Sequence, residues 1–222
     1  MSEVILLGAG ASVREGIEKG LWDKIKDKEI WSLNSVFKVM PYLPTVQLWV
    51  DVGFFKKEAN NLRDLQLKGV KLFTREQHTW SLVSKYMTLF QTTREITNFE
   101  ADLKKGKKTI FYGRMGLVGF FAVSLAKQLG YDKIYLLGYD FGAVSLDTKV
   151  THWYQDKISQ KKIYSMGAGR PEVYLDRKGN PNEFLDDWKV FRDDKNIYNV
   201  STNSHLEVFP KITYETFFDS LE

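Results

Sequence analysis

Residues 116–141 constrain the fold more than any other stretch, because they read as one helix feeding directly into one buried strand. Leu117, Phe120, Phe121, Val123, Leu125, Ala126 and Leu129 give that helix a broad apolar surface, as a helix lying under a sheet requires. Gly130 follows where a left-handed stop residue is usually needed. Lys133-Ile134-Tyr135-Leu136-Leu137 is then a short apolar run, and Gly138-Tyr139-Asp140-Phe141 closes it with a carboxylate. Ligands of open α/β sheets sit beyond the carboxyl ends of the strands, so Asp140 is expected at the functional end. Many folds contain such a pair, so it places a site without naming one.

The same grammar repeats along the chain. Val4-Ile5-Leu6-Leu7 runs into Gly8-Ala9-Gly10-Ala11-Ser12-Val13, a strand entering a glycine turn and then a helix. Glycines in such a turn let backbone approach phosphate, and the helix N-terminus adds partial positive charge. A tight turn with no ligand is the competing reading. Val13 replaces the third glycine of the dinucleotide fingerprint, and Asn34 stands where the ribose-binding carboxylate belongs, which disfavours a standard NAD site. Residues 29–33 and 46–50 predict the next two strands, ending in Asn34 and Asp51. If these strands are parallel neighbours, Gly8–Gly10, Asn34 and Asp51 line one rim; singly, Asn34 and Asp51 also suit helix caps. Further strands are predicted at 70–74, 109–112 and 197–200, with helices from Phe54 to Leu67, over 80–90 and at 213–221. Gly113-Arg114-Met115-Gly116 makes a second glycine-bearing turn, with Arg114 either available to an anion or a plain surface residue.

The strand–helix alternation predicts an α/β, Rossmann-like, mostly parallel sheet with helices on both faces. An irregular lid follows the strand that ends in Asp140. With 222 residues the chain suits a single nucleotide-binding domain over 1–222, with 142–187 as a lid-like insertion. That insertion mixes His152, Trp153, Tyr154, Tyr164 and Tyr174 with basic residues. Such a mixture suits a base, a sugar or a nucleic-acid strand, or else its aromatics simply pin the lid down. The absence of cysteine excludes disulfides and thiolate chemistry, and three dispersed histidines do not suggest a structural zinc site. No apolar run is long enough to span a bilayer, and the start lacks the basic region of a signal peptide, so a cytoplasmic location is expected. The net charge of +4 is concentrated at Lys104-Lys105-Gly106-Lys107-Lys108 and Lys161-Lys162, either solvated turns or a basic surface for an anionic substrate.

The assembled pieces resemble a known group of proteins. Gly8-Ala9-Gly10-Ala11-Ser12-Val13 resembles the G-x-G-P-S-L opening of bacterial lipooligosaccharide sialyltransferases. It is also similar to the hydroxymethylpterin pyrophosphokinase-like family, which includes candidate flagellin glycosyltransferases. Asn34-Ser35, Asp51, the stretch from Ala122 to Phe141, and Ile197 to Leu206 with its N-S-x-L turn continue the resemblance in order. It implies a glycosyltransferase that moves a sugar from a nucleotide-activated donor to an acceptor hydroxyl on a glycan or a nucleic acid. His152, the lid's one histidine, corresponds to the sialyltransferases' general base, with Asp51 as the fallback. Gly8, Ala9, Gly10, Ser12, Asn34, Arg114, Gly116, Asp140, Ser201, Asn203 and Ser204 are the implied nucleotide-binding set. No cofactor is required beyond the nucleotide-sugar co-substrate, no metal ligand is assigned, and an oligomer stays open. The family's T-S-G is Arg114-Met115-Gly116 here, the aromatic after its D-F pair is Gly142, and its second donor-site asparagine is Asp51. These departures argue against a sialic acid donor and leave a nucleotide donor in place. The pterin-type relatives imply the alternative of magnesium-dependent diphosphate transfer, with Asp51 and Asp140 as oxygen ligands. A non-catalytic nucleic-acid-binding module, carried by the basic aromatic lid, is the third reading.

Overall fold

The computed structural model describes residues 2–75, 88–93, 109–111, 117–141, 153 and 183–222. Within them lie strands β1 (Glu3–Leu7), β2 (Ile30–Leu33), β3 (Val46–Leu48), β4 (Lys71–Arg75), β5 (Thr88–Thr93), β6 (Thr109–Phe111), β7 (Lys133–Leu137) and β8 (Ile197–Asn199). They form an eight-stranded sheet in the order β6-β5-β4-β3-β2-β1-β7-β8, and each described pairing is parallel. The helices are α1 (Val13–Glu18), α2 (Leu21–Ile25), α3 (Val52–Leu67), α4 (Val118–Gln128), α5 (Glu183–Asp186) and α6 (Tyr214–Ser220), with 3₁₀ turns at Asn34–Lys38 and Asp187–Phe191. The mostly parallel α/β architecture expected from the sequence is the one found.

Strand periodicity decides which helices lie on which face. Val4 and Leu6 of β1, Trp31 of β2 and Ile134 and Leu136 of β7 point to one side, where Phe120, Phe121 and Leu125 of α4 meet Trp188 and Phe191. Ile5, Leu7, Ile30, Tyr135 and Leu137 point to the other, against Val13 of α1, Leu21 of α2 and Phe217 of α6. Helices therefore cover both faces. Phe120, Phe121 and Leu125 are fully buried, and each such side chain contributes about 1.5–3 kcal/mol through apolar area removed from water. Gly130 follows α4 at φ +81°, the left-handed stop that its position predicted. A third cluster packs α3 beside β3 and β4 through Trp49, Phe54, Phe55, Leu62 and Leu72, with Trp49 and Phe55 stacked at 6.1 Å.

Two expectations need correction. Residues 88–90 are not the end of a helix: they belong to β5, where Thr88, Leu89 and Phe90 pair with Phe73, Thr74 and Arg75. The β-branched and aromatic run Thr-Leu-Phe-Gln-Thr-Thr suits a pleated surface better than a helix. The rest of that helix, residues 80–87, lies outside the described residues. The irregular segment also ends before 187, because residues 183–186 already form α5, with Leu185 buried at the edge of the core. Of the remainder of 142–187, the structure describes Trp153 and Asp187 alone.

Candidate functional site

From β1 the chain order runs outward in both directions, to β6 on one side and to β7 and β8 on the other, so its reversal falls between β1 and β7. There the β1–α1 turn and the end of β7 are knitted together. The Gly8 N–H donates to Leu137 O at 2.7 Å and the Gly10 N–H to Gly138 O at 3.0 Å. A methyl group on Gly10 would lie 2.6 Å from both Asp140 Cγ and Gly138 O, and one on Gly8 would lie 2.8 Å from Gly138 O. The close approach these glycines allow is thus to the neighbouring strand end. Asp140 completes the junction: Oδ2 accepts the Ser12 N–H at 2.8 Å and Oδ1 accepts the Ser12 hydroxyl. The acceptor that the start of α1 meets is therefore the protein's own Asp140 carboxyl group. Burial raises the Asp140 pKa above its ordinary value, although hydrogen bonds from Ser12 and Ser201 and the charge of His205 oppose that rise.

The late turn braces the same strand end. Ser204 donates its hydroxyl to Tyr139 O at 2.6 Å and accepts the Leu206 N–H, while the His205 N–H donates to Asp140 O. Asn199, at the end of β8, is fully buried and gives an Nδ2 hydrogen to Tyr139 O. Trp153 docks here as well. Its backbone N–H donates to Ala9 O at 3.0 Å, its indole N–H to Gly8 O at 3.3 Å, and its carbonyl accepts from Arg14 Nε. With its ring 5.7 Å from that of Trp22, Trp153 is itself fixed against the glycine turn.

The ends of β2 and β3 are built differently. Asn34 leaves β2 in the left-handed region at φ +50°, a conformation that asparagine tolerates better than most side chains. Its carbonyl accepts from Nε2 of Gln47 at 3.0 Å; Gln47 is fully buried in β3 opposite Ser32, whose hydroxyl bonds Gln47 Oε1. Its side-chain Oδ1 is buried with no hydrogen-bond partner among the described residues. The 3₁₀ turn that follows is tied to α3 by Lys38 Nζ and Glu58 Oε1 at 2.6 Å. Burial pushes the Glu58 carboxyl up, but Lys38, Asn61 and Lys57 outweigh it and hold the pKa below its ordinary value. Asp51 is exposed and caps α3, Oδ1 accepting the Phe54 N–H at 2.9 Å.

Gly8, Ala9, Gly10, Ser12, Asp140, Ser201 and Ser204 thus meet around the β1–β7 junction, with Asn34 and Asp51 at the carboxyl ends of the next two strands along the sheet. Asn203 is exposed on the late turn. Arg114, Gly116 and His152 lie outside the described residues. Sequence reasoning missed Gln47, Ser32 and His205. The first two had a signal: a polar residue inside a short run expected to be buried must find partners beside it. Among the described residues no group of three or more His, Asp or Glu side chains is arranged to hold a metal ion. No described helix is long and apolar enough to cross a membrane.

A doubly wound parallel sheet with a polar rim at its order reversal defines the class of fold. No protein-family model and no curated protein matches the chain. Among solved structures it is similar to the MAf glycosyltransferase from Magnetospirillum magneticum AMB-1, with a TM-score of 0.51 and 14% identity over 97% of this chain. It spans 34% of that chain, about a third of its length. It is also similar to the sialyltransferase CstII from Campylobacter jejuni, in complex with the substrate analogue CMP-3FNeuAc, with a TM-score of 0.49 and 13% identity over 96% of this chain and 86% of that one. At such identities the likeness is one of fold.

Proposed function

We propose that this chain is a glycosyltransferase that moves a sugar from a nucleotide-activated donor to an acceptor hydroxyl. The observation that carries the proposal is Asn34, whose backbone is held at a strand end by buried partners while its side-chain acceptor has none. A buried unpaired acceptor is disfavoured by about 1–3 kcal/mol, and a ligand N–H or O–H relieves that penalty. The family resemblance and the fold shared with a protein named as a glycosyltransferase supply the reaction class. In the proposed step the acceptor oxygen forms a bond to the anomeric carbon. The bond from that carbon to the donor phosphate breaks, its electron pair leaves with the nucleotide, and His152 takes the acceptor proton. His152 immediately precedes Trp153, whose backbone N–H is bonded to the glycine turn. An anionic acceptor, whether a nucleic acid or an acidic glycan, suits a chain of net positive charge. Magnesium-dependent diphosphate transfer has less support, because Asp140 accepts twice from Ser12 and Asp51 caps α3.

Thermal shift with CMP, UDP, GDP and ATP tests the donor half of the proposal. One of them is expected to raise the melting temperature in proportion to the logarithm of its concentration. His152→Ala is expected to keep that shift and to lower transfer by about 10²–10⁴-fold. Unchanged turnover removes His152 from the base role, and no shift with any nucleotide removes the function.

A further inference from the structure

Gln47 has no place in the proposed reaction, yet its side chain is the most fully engaged amide near the rim. A glutamine amide offers two N–H donors and one acceptor oxygen. Nε2 donates to Asn34 O and to Leu48 O, both at 3.0 Å, while Oε1 takes the Ser32 hydroxyl. Leu33 and Leu48 are the last paired residues of β2 and β3, so one amide bridges the two carbonyls at the point where the strands part. Buried apolar residues on either side would suffice if the only requirement were to fill the sheet. A polar staple of this kind instead fixes a peptide plane. The Asn34 carbonyl belongs to the plane that sets ψ of Asn34, and with φ at +50° this determines where the side chain leaves the backbone. Lys38 and Glu58 tie the other end of the same short turn to α3.

We propose that Gln47 is a positioning residue that acts through Asn34, holding the Asn34 carboxamide at the rim for a nucleoside phosphate that donates an N–H or O–H to it. The inference rests on the nucleotide reading given above and adds to it the residue that sets the geometry. Gln47 itself, fully buried, touches no ligand. Its contribution to affinity therefore exists only while Asn34 carries a side chain.

A double-mutant cycle with Gln47→Leu and Asn34→Gly tests this, reading nucleotide dissociation constants by calorimetry with whichever of CMP, UDP, GDP and ATP binds the wild-type chain most tightly. Gln47→Leu is expected to weaken binding about tenfold, the equivalent of about 1.4 kcal/mol, in the wild-type background. It is expected to change nothing in the Asn34→Gly background. A role in stability alone would lower the melting temperature equally in both backgrounds and leave this pattern absent. An equal affinity loss in both backgrounds overturns the proposal, as does wild-type affinity in Gln47→Leu. If Gln47→Leu does not fold, Ser32→Ala replaces it in the cycle, because it removes the hydroxyl that orients Gln47 Oε1 while leaving the strand intact. A smaller, Asn34-dependent loss is then expected, and an additive one overturns the idea. Failure of all four nucleotides to bind the wild-type chain removes the functional reading and this inference together, whereas binding with an additive cycle removes the inference alone.

Discussion

The β1–β7 junction and the β2–β3 junction are neighbours on one rim, but they deal with their polar groups differently. At β1–β7 most groups answer one another: Ser12 satisfies Asp140, Ser204 satisfies Tyr139 O, and Trp153 satisfies Gly8 O and Ala9 O. Oδ1 of Asn199, whose amide braces Tyr139 O, is buried there with no partner among the described residues. At β2–β3 the backbone is stapled by Gln47, yet Asn34 Oδ1 is left with no partner. Asn199 is fully buried, whereas Asn34 is only partly buried at the rim, and an open acceptor there beside a rigid backbone is suited to a ligand. The glycine turn looks more like a ligand site in the sequence, and its neighbour looks more like one in the structure.

The largest effect that can separate the two junctions is expected from Gly10→Ala. The added methyl would overlap the Asp140 carboxylate and the Gly138 carbonyl, neither of which is the free end of a flexible side chain. Overpacking of this kind typically destabilises by about 1–3 kcal/mol, to be read as a lower urea midpoint. A midpoint within error of wild type would show that the turn can lift off β7, and the contrast between scaffold and site would collapse. Asp140→Asn should act more mildly and through pH. The folded chain binds the Asp140 proton more tightly than the unfolded chain does, whose carboxyl has the ordinary value of 3.8. The stability this provides is fully present below pH 3.8 and is lost as pH rises through the elevated folded value. Asparagine does not titrate, and it can accept from the Ser12 N–H while donating to the Ser12 hydroxyl. Melting temperatures across the acid range should therefore shift in favour of Asp140→Asn as pH rises. A constant difference between variant and wild type would mean that Asp140 is not held in this buried, proton-retaining setting.

Much of this architecture was legible in the chain itself. Short apolar runs ending in Gly8, Asn34, Asp51 and Asp140 predicted parallel strands with polar ends on one rim, and the sheet order bears that out. Residues 88–90 were misread because Thr and aromatic residues without a clean period leave helix and strand undecided, and pairing with β4 settled the matter. The glycines were legible as a turn but not in their purpose. Spacing cannot distinguish a backbone that approaches phosphate from one that approaches Gly138, since both need a missing Cβ. Asp51 was visible both as a rim carboxylate and as a helix cap, and the cap is the contact the structure shows. Gln47 lay in plain view as a polar residue in Val-Gln-Leu, but its partners, Ser32 and Asn34, come from β2 and the turn that follows it and depend on register.

The smallest effect on stability, and the sharpest test of the comparison, is expected at Asn34. Asn34→Gly keeps a backbone at home at φ +50°, so no strain is introduced. It removes a buried acceptor whose lack of a partner is disfavoured by about 1–3 kcal/mol. Against this, glycine adds about 0.5–1 kcal/mol of conformational entropy to the unfolded chain. The first term is at least as large as the second, so urea unfolding should find the variant at least as stable as wild type. Nucleotide binding should nevertheless fall about tenfold or more, since each 1.4 kcal/mol of lost contact is a factor of ten. A scaffold residue would give the reverse pattern, with lower stability and unchanged affinity. Asn34 would then join Asp140 and Ser12 as internal structure, and the rim between β2 and β3 would lose its claim to a ligand.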